Sequence, residues 1–186
     1  MAHAMLPLLE RTPVIPAVKE PETLDRALCH DGAAVFLLCG DILNIGELVD
    51  RVHRAGKQAV IHADLIAGLA PKEIAVDYLR RCGADGIIST RQSFIRRAKE
   101  LGLAAILRVF LLDSIALESL DKIPPNLPDC LDLLPGTMPK ILRRVCATAK
   151  VPVLAGGLIA DKEDVMAALE AGITAISTTN QAVWNM

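Results

Sequence analysis

The sequence predicts an α/β protein, a small parallel barrel of eight strand-helix units with a short or truncated final helix. Three observations predict it. Eight short apolar runs recur at intervals of roughly 20 to 27 residues, the spacing of successive strand-helix units. The 186 residues are 52% hydrophobic but only 3% aromatic, and mean hydropathy is +0.39. Such a core must be built from Leu, Ile, Val and Ala, as in parallel strands buried on both faces. Finally, Arg54-Ala-Gly56, Arg81-Cys-Gly83, Glu100-Leu-Gly102 and Glu170-Ala-Gly172 repeat one helix-ending pattern, with glycine as the carboxy-terminal cap. Eight units in order favour closure, because each strand then pairs with its sequence neighbours and no edge is left over. The expected architecture is thus a single-domain (β/α)8 barrel of the TIM type. A doubly wound sheet competes with it, but the Gly-x-Gly-x-x-Gly fingerprint of dinucleotide binding is absent.

The first strand is expected at Val14–Val18, with Pro21 opening the helix that follows. Residues 33–38 form the second strand, and the next helix is capped by Asn44 and ended by Gly56. After a third strand at 58–63, Pro71 marks a first helical turn, and Ile74, Tyr78, Leu79 and Cys82 fall on one helical face. Strands four and five are expected at Gly86–Ser89 and 104–109. The stretch Ile123-Pro-Pro-Asn-Leu-Pro128 breaks the fifth helical segment as a rigid connector. Strand six is Cys130–Leu134, strand seven is 151–155, and Asp161 caps a helix whose inner face carries Val165, Ala168, Leu169 and Gly172. Strand eight is 173–177, leaving only 180–184 for the last helix. Barrels of this type rarely fall below about 200 residues, so all helices must be short.

Composition excludes several classes of function. Five cysteines without clustered spacing do not make a disulfide framework, and reduced thiols in a cytosol are expected. No apolar run reaches the ~18 residues of a membrane span, and no signal peptide is evident, so a cytoplasmic protein without membrane partners is expected. Residues 1–10 read as a peripheral amino-terminal extension; Met5 is a second candidate start, and 1–4 are kept out of the fold assignment. A net charge of −2 and few aromatic residues argue against an overtly basic nucleic-acid binder.

Barrels place chemistry at the carboxyl ends of their strands. Strand seven runs into Ala155-Gly156-Gly157-Leu158-Ile159, and strand eight into Ser177-Thr178-Thr179-Asn180. Paired glycines let the main chain approach an anion and present its N–H groups, while hydroxyls and a helix amino terminus add donors. Gly156, Gly157, Ser177, Thr178, Thr179 and Asn180 are therefore candidate phosphate ligands; a tight turn that merely needs glycine is the plainer alternative. Lys19, Asp64, Ser89, Arg91 and Arg108 also leave strand ends and are candidate pocket residues. Asp64 and Arg108 stand in apolar runs where an unpaired charge is costly, so they meet either a ligand or each other. His62, two residues before Asp64, would share its face on an extended strand, either as an oriented imidazole or as a hydrogen-bonded core histidine. No metal-ligand motif, nucleophile elbow, Walker loop or glycosidase-type carboxylate pair is present, so no catalytic residue, metal or cofactor is assigned. A sugar-phosphate isomerase or aldolase and a non-catalytic phosphate sensor both stay open on these grounds.

His62-Ala-Asp-Leu-Ile-Ala-Gly68, Gly86-Ile-Ile-Ser-Thr-Arg91, Arg108-Val-Phe-Leu-Leu-Asp-Ser114, Leu133-Leu-Pro-Gly136, Ala155-Gly-Gly157 and Thr178-Thr-Asn180 occur in this order. Together they resemble the bacterial glycerol uptake operon antiterminator family, from about Pro13 to Trp184. Met1 to Glu10 has no counterpart in that pattern. The resemblance implies a barrel-shaped regulator, not an enzyme, with glycerol 3-phosphate as effector and the leader mRNA of glycerol-utilisation genes as partner. It also implies that the Gly156-Gly157 and Thr178-Thr179 loops hold the ligand phosphate. The alternative is a barrel enzyme acting on a small sugar or polyol phosphate, with His62 or Asp64 as acid or base. RNA contact needs phosphate neutralisation. The local sources are Arg96, Arg97 and Lys99 on the fourth helix and Lys140, Arg143 and Arg144 on the sixth, although such runs are commonly just a solvated helix face. A homodimer that joins two weak patches into one basic strip is therefore expected.

Overall fold

The computed structural model describes residues 12–184; the extension at 1–10 lies outside the described residues. Eight parallel strands close into a barrel in sequence order. They are β1 (Val14–Val18), β2 (Ala34–Leu37), β3 (Gln58–His62), β4 (Gly86–Ser89), β5 (Ala104–Phe110), β6 (Cys130–Leu134), β7 (Val153–Gly156) and β8 (Ala175–Thr178). The helices are α1 (Leu24–Leu28), α2 (Ile45–Arg54), α3 (Ile74–Arg81), α4 (Gln92–Glu100), α5 (Ser114–Ser119), α6 (Pro139–Cys146) and α7 (Lys162–Glu170). Strand pairing of β1 with β8, Val14 opposite Ile176 and Ile15 opposite Ser177, completes the closure.

Alternation along the strands divides the core in two. Ile15, Phe36, Val60, Ile88, Ile106 and Leu154 point inward with small residues such as Ala104 and Ala175, and fill the barrel. The residues between them, among them Val35, Ile61, Ile87, Leu107 and Ala155, point outward and pack against the helices through Leu48, Val49, Leu79, Ile95 and Leu142. All four repeated glycines adopt positive φ, from +73° at Gly56 and Gly102 to +97° at Gly172, so each helix ends where the sequence pattern puts its cap. Trp184 closes the described chain. It is 1% exposed, and its indole Nε1–H donates to the Thr178 carbonyl at 2.8 Å.

Three local expectations are corrected. Asn44 does not cap α2: its Oδ1 accepts from the Asp41 N–H at 2.9 Å and its amide faces Asp41 Oδ2, so the side chain is spent on the preceding turn. Pro71 lies three residues ahead of α3, separated from it by a turn in which Ala75 N–H reaches Lys72 and Val76 N–H reaches Glu73. The later start rotates the buried face to Ala75, Val76 and Leu79 and leaves Ile74 65% exposed. After β8 no helix forms among the described residues, only a turn over 181–184. Asp161, by contrast, caps α7 as expected, accepting from the Asp164 N–H at 3.0 Å.

Candidate phosphate-binding site at the barrel mouth

Above the apolar filling, the inward positions turn polar. Two residues beyond Val60, Ile106, Cys130 and Ala175 on their respective strands stand His62, Arg108, Asp132 and Ser177. These four are 3%, 7%, 0% and 4% exposed. Arg108 and Asp132 are register partners on β5 and β6. The guanidinium donates from Nε at 2.8 Å and approaches from the terminal nitrogen Nη2 at 2.7 Å, both on the same carboxylate oxygen, Oδ2. Asp132 Oδ1 is buried without a hydrogen-bond partner. Burial pushes the Asp132 carboxyl up and Arg108 works against that rise. Burial, together with the same guanidinium, lowers the His62 imidazole to about 4, so that it is neutral near pH 7.

Arg108 and Ser177 of this layer line a cavity of about 440 Å³ at the carboxyl ends of the strands, within the usual size of small-molecule sites; His62 and Asp132 lie outside its lining. Its walls are the β7–α7 loop, from Gly157 to Ala160, and the residues leaving β8, Ser177 to Asn180. Among the described residues, Arg108 is the one charged side chain in the lining. Gly157 and Leu158 adopt φ of +74° and +61°, which folds the loop back over the mouth. The Gly157 carbonyl is held by the Gly136 N–H at 3.0 Å. The N–H groups of Leu158 and Thr179 have no hydrogen-bond partner among the described residues, while the Gly156–Ser177 register turns the Gly157 N–H toward the Ser177 carbonyl. A main chain that leaves donors unpaired at one rim is suited to an anion.

The six residues expected to hold phosphate do come together, but in different capacities. Gly157, Ser177 and Thr179 present free donors or open space to the cavity. Thr178, with outward parity, donates its hydroxyl to the Ile159 carbonyl at 3.2 Å and accepts from the Asn180 N–H at 3.1 Å. The Asn180 side chain donates to the Ala160 carbonyl at 2.7 Å and accepts from the Ala182 N–H at 3.0 Å. These two side chains staple the loops to one another. Gly156 is not in the lining; it lets β7 approach β8 closely, since a Cβ there would lie 2.6 Å from Ser177 Oγ and 3.2 Å from the Ser177 carbonyl.

The other pocket candidates separate. Only Arg108 lines the cavity; Lys19 is exposed after β1 and is not in the lining. Asp64 accepts from Ser89 Oγ at 3.0 and 3.1 Å and from the Thr90 N–H at 2.8 Å, and pairs with Arg91 at 3.3 Å. Ser89 has the outward parity of Ile87, so this cluster braces the β4–α4 junction outside the barrel. Arg91 also lies over the Phe94 ring, 5.4 Å from its centroid. The ion pair considered for Asp64 and Arg108 is thus replaced by Asp64–Arg91 and Asp132–Arg108. His62 leaves the strand before Asp64 enters a 3-10 turn, and Nδ1 stays 3.8 Å from the carboxylate, beyond hydrogen-bond reach. Asp132 is also among the polar residues that the sequence puts at strand ends, but not among the pocket candidates, and its pairing with Arg108 was not anticipated. A charge at the same parity as buried Cys130, level with Arg108 on the next strand, was its signal.

Of the basic residues, Arg97 is held by Asp77 at 2.5 and 3.0 Å and by Glu100 at 2.9 Å, and Lys99 by Asp129 at 2.8 Å. Arg96 on α4 and Lys140, Arg143 and Arg144 on α6 are exposed and have no ion pair among the described residues. All five cysteines are free thiols. No helix among the described residues is long and apolar enough to cross a membrane.

Comparison with known proteins bears on this arrangement. An E. coli K12 protein, the uncharacterised YgcP, is 41% identical over 184 residues, covering 98% of this chain and 96% of its own. The crystal structure of a glycerol uptake operon antiterminator regulatory protein from Listeria monocytogenes superposes with a TM-score of 0.88 at 33% identity, covering 93% of this chain and 95% of that one. That of a glycerol uptake operon antiterminator-related protein from Thermotoga maritima gives 0.82 at 31% identity, covering 93% and 98%. An aldolase at 16% identity and a TM-score of 0.72 shares the fold alone. The sequence profile of the glycerol-3-phosphate responsive antiterminators matches residues 14–184, and the chain belongs to that family.

Proposed function

We propose that this protein is a non-enzymatic sensor of glycerol 3-phosphate that acts as a transcription antiterminator on the leader mRNA of glycerol-utilisation genes. The observation that carries the ligand half is the cavity at the barrel mouth, where unpaired main-chain N–H groups from two loops face a lining whose only charge is Arg108. A phosphate there gains fixed donors and a buried counter-charge. A volume of about 440 Å³ suits a three-carbon phosphate. Arg96 on α4 and the exposed cations of α6 are the candidate RNA contacts, and a homodimer would double the latter. Family membership supports the regulatory rather than the catalytic reading. His62 and Asp64, the acid-base candidates of an enzyme, are respectively neutral beneath the cavity and committed to the outer cluster.

Binding of ligand biases an RNA-competent state only if the two affinities are coupled, and coupling is reciprocal. Glycerol 3-phosphate should tighten leader-RNA binding, and RNA should tighten ligand binding by the same factor; calorimetric titration in both orders measures it. Equal RNA affinity with and without ligand removes the mechanism. Thr179→Asp puts a carboxylate on an exposed side chain beside the anion and should weaken glycerol 3-phosphate binding about tenfold or more while leaving Tm unchanged. Undiminished binding would move the phosphate elsewhere.

A further inference from the structure

We propose that the groove over the outer face of β6, between α5 and α6, is a single-nucleotide site that takes one unstacked, amino-bearing base of single-stranded RNA. The inference rests on the antiterminator reading above and adds where the RNA is touched and by what chemistry.

The groove follows from the sequence. Helix α5 has six residues and buries none of them, and the 3-10 turn that continues it, Leu120–Lys122, buries none either. The chain then reaches β6 through Ile123-Pro-Pro-Asn-Leu-Pro128, where prolines remove the N–H groups that a further helical turn would need. Between this wall and α6 stays a cavity of about 390 Å³, in the range of small-ligand sites. Leu131, on the outward side of β6, lines it together with Val145 of α6 and the three prolines of the connector.

Four charged side chains share this lining, and they are sorted by element. Glu118 and Asp121 come from α5 and its 3-10 turn, Arg144 and Lys150 from α6 and the segment after it. All four are exposed, and none makes an ion pair among the described residues. Opposite charges therefore line one groove without meeting. A ligand that answers all of them has hydrogen-bond donors on one edge, an anion on the other and an apolar plane between. An unpaired nucleotide has this form: the exocyclic amino group of its base donates to a carboxylate, its phosphate faces the guanidinium and the ammonium, and its flat face lies on apolar side chains. The carboxylates, which would repel a bare phosphate chain, thus become the element that reads the base. Uracil carries no amino group and answers them least. Lys140, one turn before Arg144 on the same side of α6, and Arg143 extend the cationic edge for the flanking phosphates.

Fluorescence anisotropy tests this with the full chain in the presence of glycerol 3-phosphate. The probes are labelled leader RNA and labelled oligocytidylate and oligouridylate of about eight nucleotides, within the span of single-strand sites. Wild type should bind oligocytidylate about tenfold or more tighter than oligouridylate, the scale of one charge-assisted hydrogen bond. Glu118→Gln with Asp121→Asn should erase most of that preference. Arg144→Ala with Lys150→Ala should weaken leader RNA and both oligonucleotides alike, and shrink the salt slope by roughly 0.7 for each phosphate no longer neutralised. Because these side chains are exposed, both double variants should keep the wild-type Tm; where one does not, Asp121→Asn or Lys150→Ala alone decides. Equal wild-type affinity for the two oligonucleotides, or leader-RNA affinity unchanged in both variants, overturns the groove and leaves it to an apolar peptide while the antiterminator reading stands. Leader RNA left unbound with and without glycerol 3-phosphate overturns that reading, and the groove with it.

Discussion

At His62, burial and the Arg108 guanidinium together depress the imidazole from 6.5 to about 4. Between those two values the unfolded chain holds a proton that the folded chain refuses. The stability contributed by this group is therefore complete above about pH 6.5 and is lost progressively as pH falls to about 4, an effect on the order of 3 kcal/mol. His62→Gln should flatten the decline of Tm between about pH 7 and 4.5, measured by scanning calorimetry. Equal slopes for variant and wild type would show an imidazole titrating in its ordinary range. The same neighbourhood shows how far sequence reaches. Arg108 was legible because a charge in an apolar run must be answered, but its answer was not, since Asp64 and Asp132 both qualify by chemistry. Strand parity and register choose between them: Asp132 lies level with Arg108 on the next strand, whereas Asp64 leaves the sheet in a 3-10 turn.

The two basic helices are alike in composition and different in structure. On α4, Arg97 is clamped between Asp77 and Glu100, and Arg97 holds the Asp77 carboxyl below its usual range. Arg97→Ala should therefore lower Tm and leave glycerol 3-phosphate affinity unchanged. On α6, Lys140 and Arg143 are exposed with no anionic partner among the described residues. Lys140→Glu with Arg143→Glu should spare Tm and ligand binding yet weaken leader-RNA binding, with the salt slope shrinking by roughly 0.7 to 0.9 for each RNA phosphate left unneutralised. An unchanged salt slope would take α6 out of the RNA surface. A charge run in sequence cannot distinguish these helices, because the neutralising carboxylates of Asp77 and Asp129 come from other parts of the chain. The strands were easier to read, with β1, β4 and β6 matching their expected bounds, since a run buried on both faces must be continuously apolar. Helix starts were harder: Asn44 and Pro71 carry the right chemistry for a first turn and spend it one turn early.

Closure of the sheet removes every strand edge, so a second copy cannot dock by extending the barrel and must use helices or loops. The expected homodimer should appear in sedimentation velocity of the protein with leader RNA. A strictly one-to-one complex of protein and RNA would rule out the shared basic strip. The whole fold was legible because eight βα units repeat one pattern, including its four glycine caps. The convergence of the two loops on one cavity was legible from their glycines and hydroxyls; the buried polar layer beneath emerged only when side chains from β5, β6 and β8 were brought to one height.

Trp184 has one more consequence. It is the only tryptophan in the chain, and its indole is hydrogen-bonded to the carbonyl of Thr178, at the end of β8 where it forms one wall of the cavity. An anion bound there would alter the electric field along the indole, which would make Trp184 a built-in optical reporter. If the barrel mouth takes glycerol 3-phosphate as proposed, titration with it should shift the Trp184 emission without any attached dye.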